Sequence, residues 1–129
     1  MKLDVNNPNH IFVFGSNLAG RHGMGSARRA FQTFGANYGV GQGMCGRSYA
    51  IPTKNHSLHT LPLEAIRNYI TLFLHYALRH PEFEFFVVNV GCGLAGYKPK
   101  EIAPYFRGAP KNVHLTTVFN QLLGRQNHA

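Results

Sequence analysis

The chain contains no tryptophan, two cysteines and five acidic side chains in 129 residues. Each shortage excludes something. Cys45 and Cys92 are too few for a disulfide framework and are expected to be reduced thiols of a cytoplasmic protein. The acids are Asp4, Glu64, Glu82, Glu84 and Glu101. Glu82 and Glu84 fall in a helix-to-strand connection, so a hydrolase built on two facing carboxylates has little to draw on. No apolar run approaches the roughly 20 residues that span a bilayer. The polar start, "MKLDVNNPNH", does not read as a signal peptide, and no membrane partner is expected.

What is present is a basic chain with apolar content to spare. Thirteen Lys and Arg against five acids give a formal charge of +8, which favours partners that carry phosphate. Hydrophobic residues make up 44% of the chain, enough for one ordinary core, and 1–129 is expected to be a single domain. Short apolar runs alternate with helical patterns. "HIFVFG" (10–15), "SYAIP" (48–52), "FEFFVVNV" (83–90) and "NVHLTTVF" (112–119) read as strands, the third too apolar for an edge. "GSARRAFQTFG" (25–35) reads as a helix stopped by Gly35. Residues 62–80 read as the longest helix, with Leu63, Ile66, Ile70, Phe73 and Ala77 along one stripe. "KPKEIAPYF" gives a short helix, and the glycine-rich segment 35–48 an irregular connection. The fold class is α/β, a mainly parallel sheet flanked by helices on both faces. Ligands of such sheets bind beyond the carboxyl ends of the strands.

Three loops leave those ends: "GSNLAGRHGMG", "PTKNHS" and "GCGLAGY". The last is G-x-G-x-x-G after a strand, yet a dinucleotide fingerprint also needs an acid about twenty residues on, and no acidic side chain follows Glu101. The first has P-loop glycine spacing at Gly15 and Gly20, but Arg21-His22 replaces Lys-Ser/Thr. Glycines after a strand can turn N–H groups towards a diphosphate or simply make tight turns, and two such loops at one sheet edge favour the diphosphate. His56-x-x-His59 lacks further ligands for zinc, and no metal or other cofactor is expected. The Cys92 thiol has no base beside it and reads as buried.

"FVFGSNLAGRHGMGSARRAFQTFG", "YAIPTKN" and "VGCGLAGY", in this order and spread over most of residues 12–106, resemble the loop series of macrodomains. Within them they are most similar to the lysine-dependent group that removes ADP-ribose from carboxylates or DNA bases. The resemblance implies a three-layer macrodomain-like fold. It also implies a ligand at loops 15–25, 52–56 and 91–97, contacted by Gly15, Ser16, Asn17, Gly23, Gly25 and Thr53. Gly91, Cys92, Gly93, Leu94, Ala95 and Gly96 would cradle the diphosphate, and Tyr97 would cover a ribose or base. Asn17 would hold the distal ribose, and the Lys54 amine would attack its anomeric carbon, a reaction open to a neutral amine. His22 is a candidate phosphate contact or proton carrier. Two positions depart from the family: Ala95 stands where the protein-directed hydrolases carry a resolving aspartate, and Asp4 is the sole candidate for the adenine-reading acid.

Three functions follow as expectations. One is an ADP-ribosyl hydrolase with an ADP-ribosylated macromolecule, protein or DNA, as partner. Another is a module that binds ADP-ribose without turnover. The third is a basic structural protein that kept the fold and lost the site. A DNA-binding rim of Arg21, Arg28, Arg29, Arg47 and Lys54 belongs with the first.

Overall fold

A computed structural model describes residues 1–125. The elements, in order, are β1 (His10–Asn17), α1 (Gly25–Thr33), β2 (Gly43–Cys45), β3 (Ser48–Lys54), α2 (Leu63–Arg79), β4 (Glu84–Val87), α3 (Pro99–Ile102), a 3₁₀ turn (Ala103–Phe106), β5 (Val113–His114) and α4 (Thr117–Leu123). The sheet has five strands in the order β2-β3-β1-β4-β5. β1 is parallel to β3 and β4, β4 is parallel to β5, and β2 is antiparallel to β3.

β1 is central and apolar on both faces. Ile11 and Val13 join Tyr49, Ile51, Phe85 and Val87 under α2, α3 and α4. Phe12 and Phe14, on the opposite face, join Ala50 and the buried Ala27, Ala30 and Phe34 of the α1 region. α2 buries Ile66, Ile70, Phe73 and Ala77, the stripe expected from 3.6-residue spacing. Each large side chain taken fully out of water contributes about 1.5–3 kcal/mol. This is the mixed, mainly parallel α/β sheet, with helices on both faces, that the sequence implies.

Three segments differ from the reading of the sequence. Residues 112–119 hold a two-residue strand, not a long one: Thr116 caps α4 by accepting a hydrogen bond from Phe119 N (3.1 Å), ending the extended run. The apolar run 83–90 is ladder-paired only over Glu84–Val87, after which the chain turns into the glycine loop. The connection 35–48, expected to be irregular, contains β2 as an edge strand.

Because α1 leaves β1 on one face and α2 leaves β3 on the other, the loops after these strands diverge and open a crevice at their carboxyl ends.

Candidate functional site

A cleft of about 520 Å³ occupies that crevice. Gly15, Ser16 and Asn17 line it from the end of β1, Thr53 and Lys54 from the end of β3, and Gly91, Gly93, Leu94 and Ala95 from the loop after β4. Gly23, Met24, Gly25, Ser26 and Ala27 bring the start of α1 to it, and Arg21 and Leu58 complete the wall.

Asn17 and Lys54 are Cα partners across the β1–β3 ladder, immediately after a register irregularity at Ser16/Asn17. Irregular pairing of this kind re-aims side chains at strand ends. The Asn17 amide closes its own loop: Nδ2 donates to Arg21 O (2.8 Å) and Oδ1 accepts from Arg21 N (2.9 Å). An amide has four hydrogen-bonding positions, so one donor and one acceptor position remain for a ligand.

Lys54 is half-buried, and its wall contains Arg21 and no carboxylate. The deeper hydroxyls are already engaged. Ser16 Oγ donates to Gly41 O, and Thr53 Oγ1 donates to Ser16 O (3.0 Å), tying the ends of β1 and β3 together.

Two sets of N–H groups belong to residues that line the cleft. Those of Gly93, Leu94 and Ala95 donate to nothing among the described residues, while Cys92 N, Gly96 N and Tyr97 N close the loop on Asn89 O, Gly93 O and Gly91 O. Those of Gly25, Ser26 and Ala27 form the first turn of α1, whose N-cap Met24 provides no side-chain cap. Both sets carry partial positive charge suited to phosphate oxygens. Gly91, at φ +78°, leaves room for the 3₁₀–α3 side: a Cβ there would sit 3.2 Å from Ile102 Cδ1.

Cys92, Gly96, Tyr97 and His22, expected at the ligand, lie off the cavity wall. Tyr97 donates its hydroxyl to Leu61 O (2.6 Å) and packs on the core. Burial pushes the Cys92 thiol up, and the Glu101 carboxylate behind it adds to the effect. Gly96 turns the chain away at φ +87°. His22 is fully buried against Phe14 and Tyr38; its Nε2 donates to Asn37 O (2.8 Å), leaving Nδ1 with no partner among the described residues. Packing a glycine-rich loop against β1 turned this ring inward, which nothing in the local sequence signals.

Asp4 does not reach the site. It accepts from Asn6 N (2.9 Å), and its own N–H donates to His10 Nδ1 (2.9 Å) at the start of β1, the end of the strand away from the cleft. Nor do the five basic residues gather into one rim. Arg47 binds Val5 O (2.6 Å) and Asn7 O (2.8 Å) in the amino-terminal segment, and the Arg29 guanidinium lies 5.0 Å over Phe12. Of the five, Arg21 and Lys54 line the cleft. His56 and His59 are exposed, and no cluster of three or more His, Cys, Asp or Glu suited to a metal occurs among the described residues.

Sequence reasoning missed Leu58 and Met24, apolar residues that carry no chemical signal, and Thr60, whose Oγ1 donates to Ala95 O (3.0 Å) and bridges two loops of the site.

No family model matches the chain, and no curated protein does. Among solved structures it is similar to DarTG of Thermosipho africanus in complex with ADP-ribose, with a TM-score of 0.57 and 15% identity. The match covers 82% of this chain and 38% of that one, so the chain spans well under half of the protein it resembles. The fold is macrodomain-like.

Proposed function

We propose that the cleft binds ADP-ribose and that Lys54 makes the protein an ADP-ribosyl hydrolase acting on ADP-ribosylated protein or DNA. The observation that carries this reading is the pairing of Asn17 with Lys54 at the mouth of a carboxylate-free cleft lined by unpaired N–H groups. The similar DarTG structure, which is in complex with ADP-ribose, supports the ligand.

The diphosphate lies between the N–H groups of residues 93–95 and the first turn of α1, where oriented dipoles replace its water without a counter-charge. Asn17 holds the distal ribose through its remaining amide positions. The lone pair of Lys54 Nζ, in the neutral amine, forms a bond to the anomeric carbon. The bond to the leaving carboxylate or base breaks, and that group keeps the electron pair. Nζ releases a proton to solvent, and water then hydrolyses the adduct and returns the amine.

A second reading, capture without turnover, is favoured by a specific feature. Ala95 stands on the cleft wall with its carbonyl occupied by Thr60, and no acid side chain there is available to activate water.

Calorimetry with ADP-ribose, paired with release of ADP-ribose from modified protein and DNA by wild type and Lys54→Ala, separates the two. The hydrolase reading expects binding, and release that Lys54→Ala lowers by two orders of magnitude or more, on the order of what nucleophile loss costs. Binding without release favours capture. Absence of binding rejects both.

A further inference from the structure

Leu58 is the one non-glycine residue with positive φ among the described residues, at +66°. The reason is the turn that holds it. Asn55 N donates to His59 O (2.8 Å), Leu58 N donates to Asn55 O (3.0 Å), and Lys54 and Thr60 form an antiparallel bridge. Asn55 Oδ1 fastens the turn further, accepting from Ser57 N (2.9 Å) and His59 N (3.0 Å). A three-residue hairpin loop of this kind places a left-handed residue at its last position, where glycine or asparagine sits without strain. A branched apolar side chain there is strained by its Cβ.

The hydrogen bonds of the turn hold that strain, and packing of the Leu58 side chain does not offset it. Leu58 is 38% exposed, so burial in the core does not hold it in place. Its side chain lines the cleft, on the same loop as Lys54 and four residues beyond it. Leu94, 62% exposed, and Met24, 65% exposed, face the same cavity from the other two loops. Strain held at a binding cleft by an over-determined turn marks a residue that acts on the ligand.

We infer that Leu58 is a specificity-determining residue that packs against the carbon face of the distal ribose, the ring that Lys54 addresses in the function proposed above, on which this inference rests. The turn delivers an apolar surface beside the amine, and Leu58 is buried once the sugar is seated. A nucleotide that ends at the diphosphate does not meet it.

Binding of ADP-ribose and of ADP, together with thermal unfolding, tests this with Leu58→Ala and Leu58→Asn. Leu58→Ala keeps the backbone strain and loses the side chain. ADP-ribose affinity is expected to fall about tenfold, the usual scale for lost apolar contact in a ligand site, with ADP affinity unchanged within about twofold. Leu58→Asn weakens ADP-ribose equally, yet raises Tm by roughly 3 °C because asparagine tolerates the left-handed conformation. Equal losses for ADP and ADP-ribose, or no loss for either, overturn the contact with the sugar. A Tm for Leu58→Asn at or below that of wild type overturns the strain. Wild-type protein that binds neither nucleotide overturns the proposed function and this inference with it, whereas binding that both variants retain overturns this inference alone.

Discussion

Asn17 and Lys54 face each other across the last rung of the parallel β1–β3 ladder, and the Asn17 amide holds Arg21 by both its N–H and its carbonyl. One side chain therefore shapes the loop and points at the cleft. Asn17→Ala removes both hydrogen bonds, with an expected cost of about 1–2 kcal/mol and a fall in ADP-ribose affinity of about tenfold or more. Asn17→Asp keeps the acceptor for Arg21 N but sets a carboxylate oxygen against Arg21 O, so it also loses stability, and it weakens the nucleotide through charge repulsion. Unfolding curves beside calorimetry check both; an Asn17→Ala variant as stable as wild type contradicts the loop-closing role.

Asn112 is the polar residue that secures the far side of the sheet. Its Nδ2 lies 3.0–3.1 Å from the carbonyls of Ala77, His80 and Phe83, gathering the end of α2 and the approach to β4. Asn112→Ala leaves these carbonyls, one buried and two part-buried, short of a donor, and a loss of about 2–4 kcal/mol is expected by chemical denaturation. Ligand affinity, measured on the folded fraction, is expected to stay within about twofold.

Among the glycines of the described residues, Gly41 leaves the least room for a side chain. A Cβ there would stand 2.1 Å from Asn17 O, inside the contact distance of two backbones. Gly41→Ala must push the 35–48 connection off the end of β1 and break the Ser16–Gly41 hydrogen bond. A loss above about 3 kcal/mol, or failure to accumulate as folded protein, is the expected outcome. Gly93→Ala, whose Cβ meets nothing within 4 Å, serves as the mild comparison.

Burial, and then the neighbouring Tyr76, pushes the Tyr49 phenol up to about 12 from its ordinary 10.0. The folded state favours the neutral form, so this contribution is complete below the unfolded pKa and is lost as pH rises through the folded one. Stability is expected to decline between about pH 10 and 12. Tyr49→Phe keeps the ring contacts with Phe73 (4.9 Å) and Tyr76 (5.3 Å), and its denaturation midpoint should decline less over that window.

Arg21 and Lys54 sit on a cleft wall with no carboxylate to neutralise them. Raising salt from about 0.05 to 0.5 M is expected to weaken ADP-ribose binding severalfold, because these partly exposed charges are screened. Adenosine, lacking phosphate, should bind with little salt dependence. Equal salt slopes for the two would remove the diphosphate from the cleft.

Much of this was legible in the residues. The buried stripe of α2 follows from 3.6-residue spacing, and β1 and β3 from short apolar runs between turn residues, because burial on one or both faces imposes those periods directly. The three loops that meet at the cleft could be named because parallel strands bring their carboxyl ends together. Arg47 was not legible as a residue away from the cleft, since it binds carbonyls 40 to 42 residues away and no local pattern encodes that. His22 turned inward for the same reason. Leu58 was invisible because its meaning lies in a dihedral angle, and the letter L carries no warning of it.

The eight residues of β1 span roughly 26 Å at about 3.3 Å per residue. At the cleft end stands Asn17; at the other, His10 accepts from Asp4 N while Arg47 fastens the stretch before it. Met1 lies at that second pole, with Glu84 and His114 lining the same hollow. The strand thus acts as a spacer, and Met1 is turned away from the cleft. A fluorophore or surface tether attached beside Met1 leaves the cleft at the opposite end of the strand unobstructed.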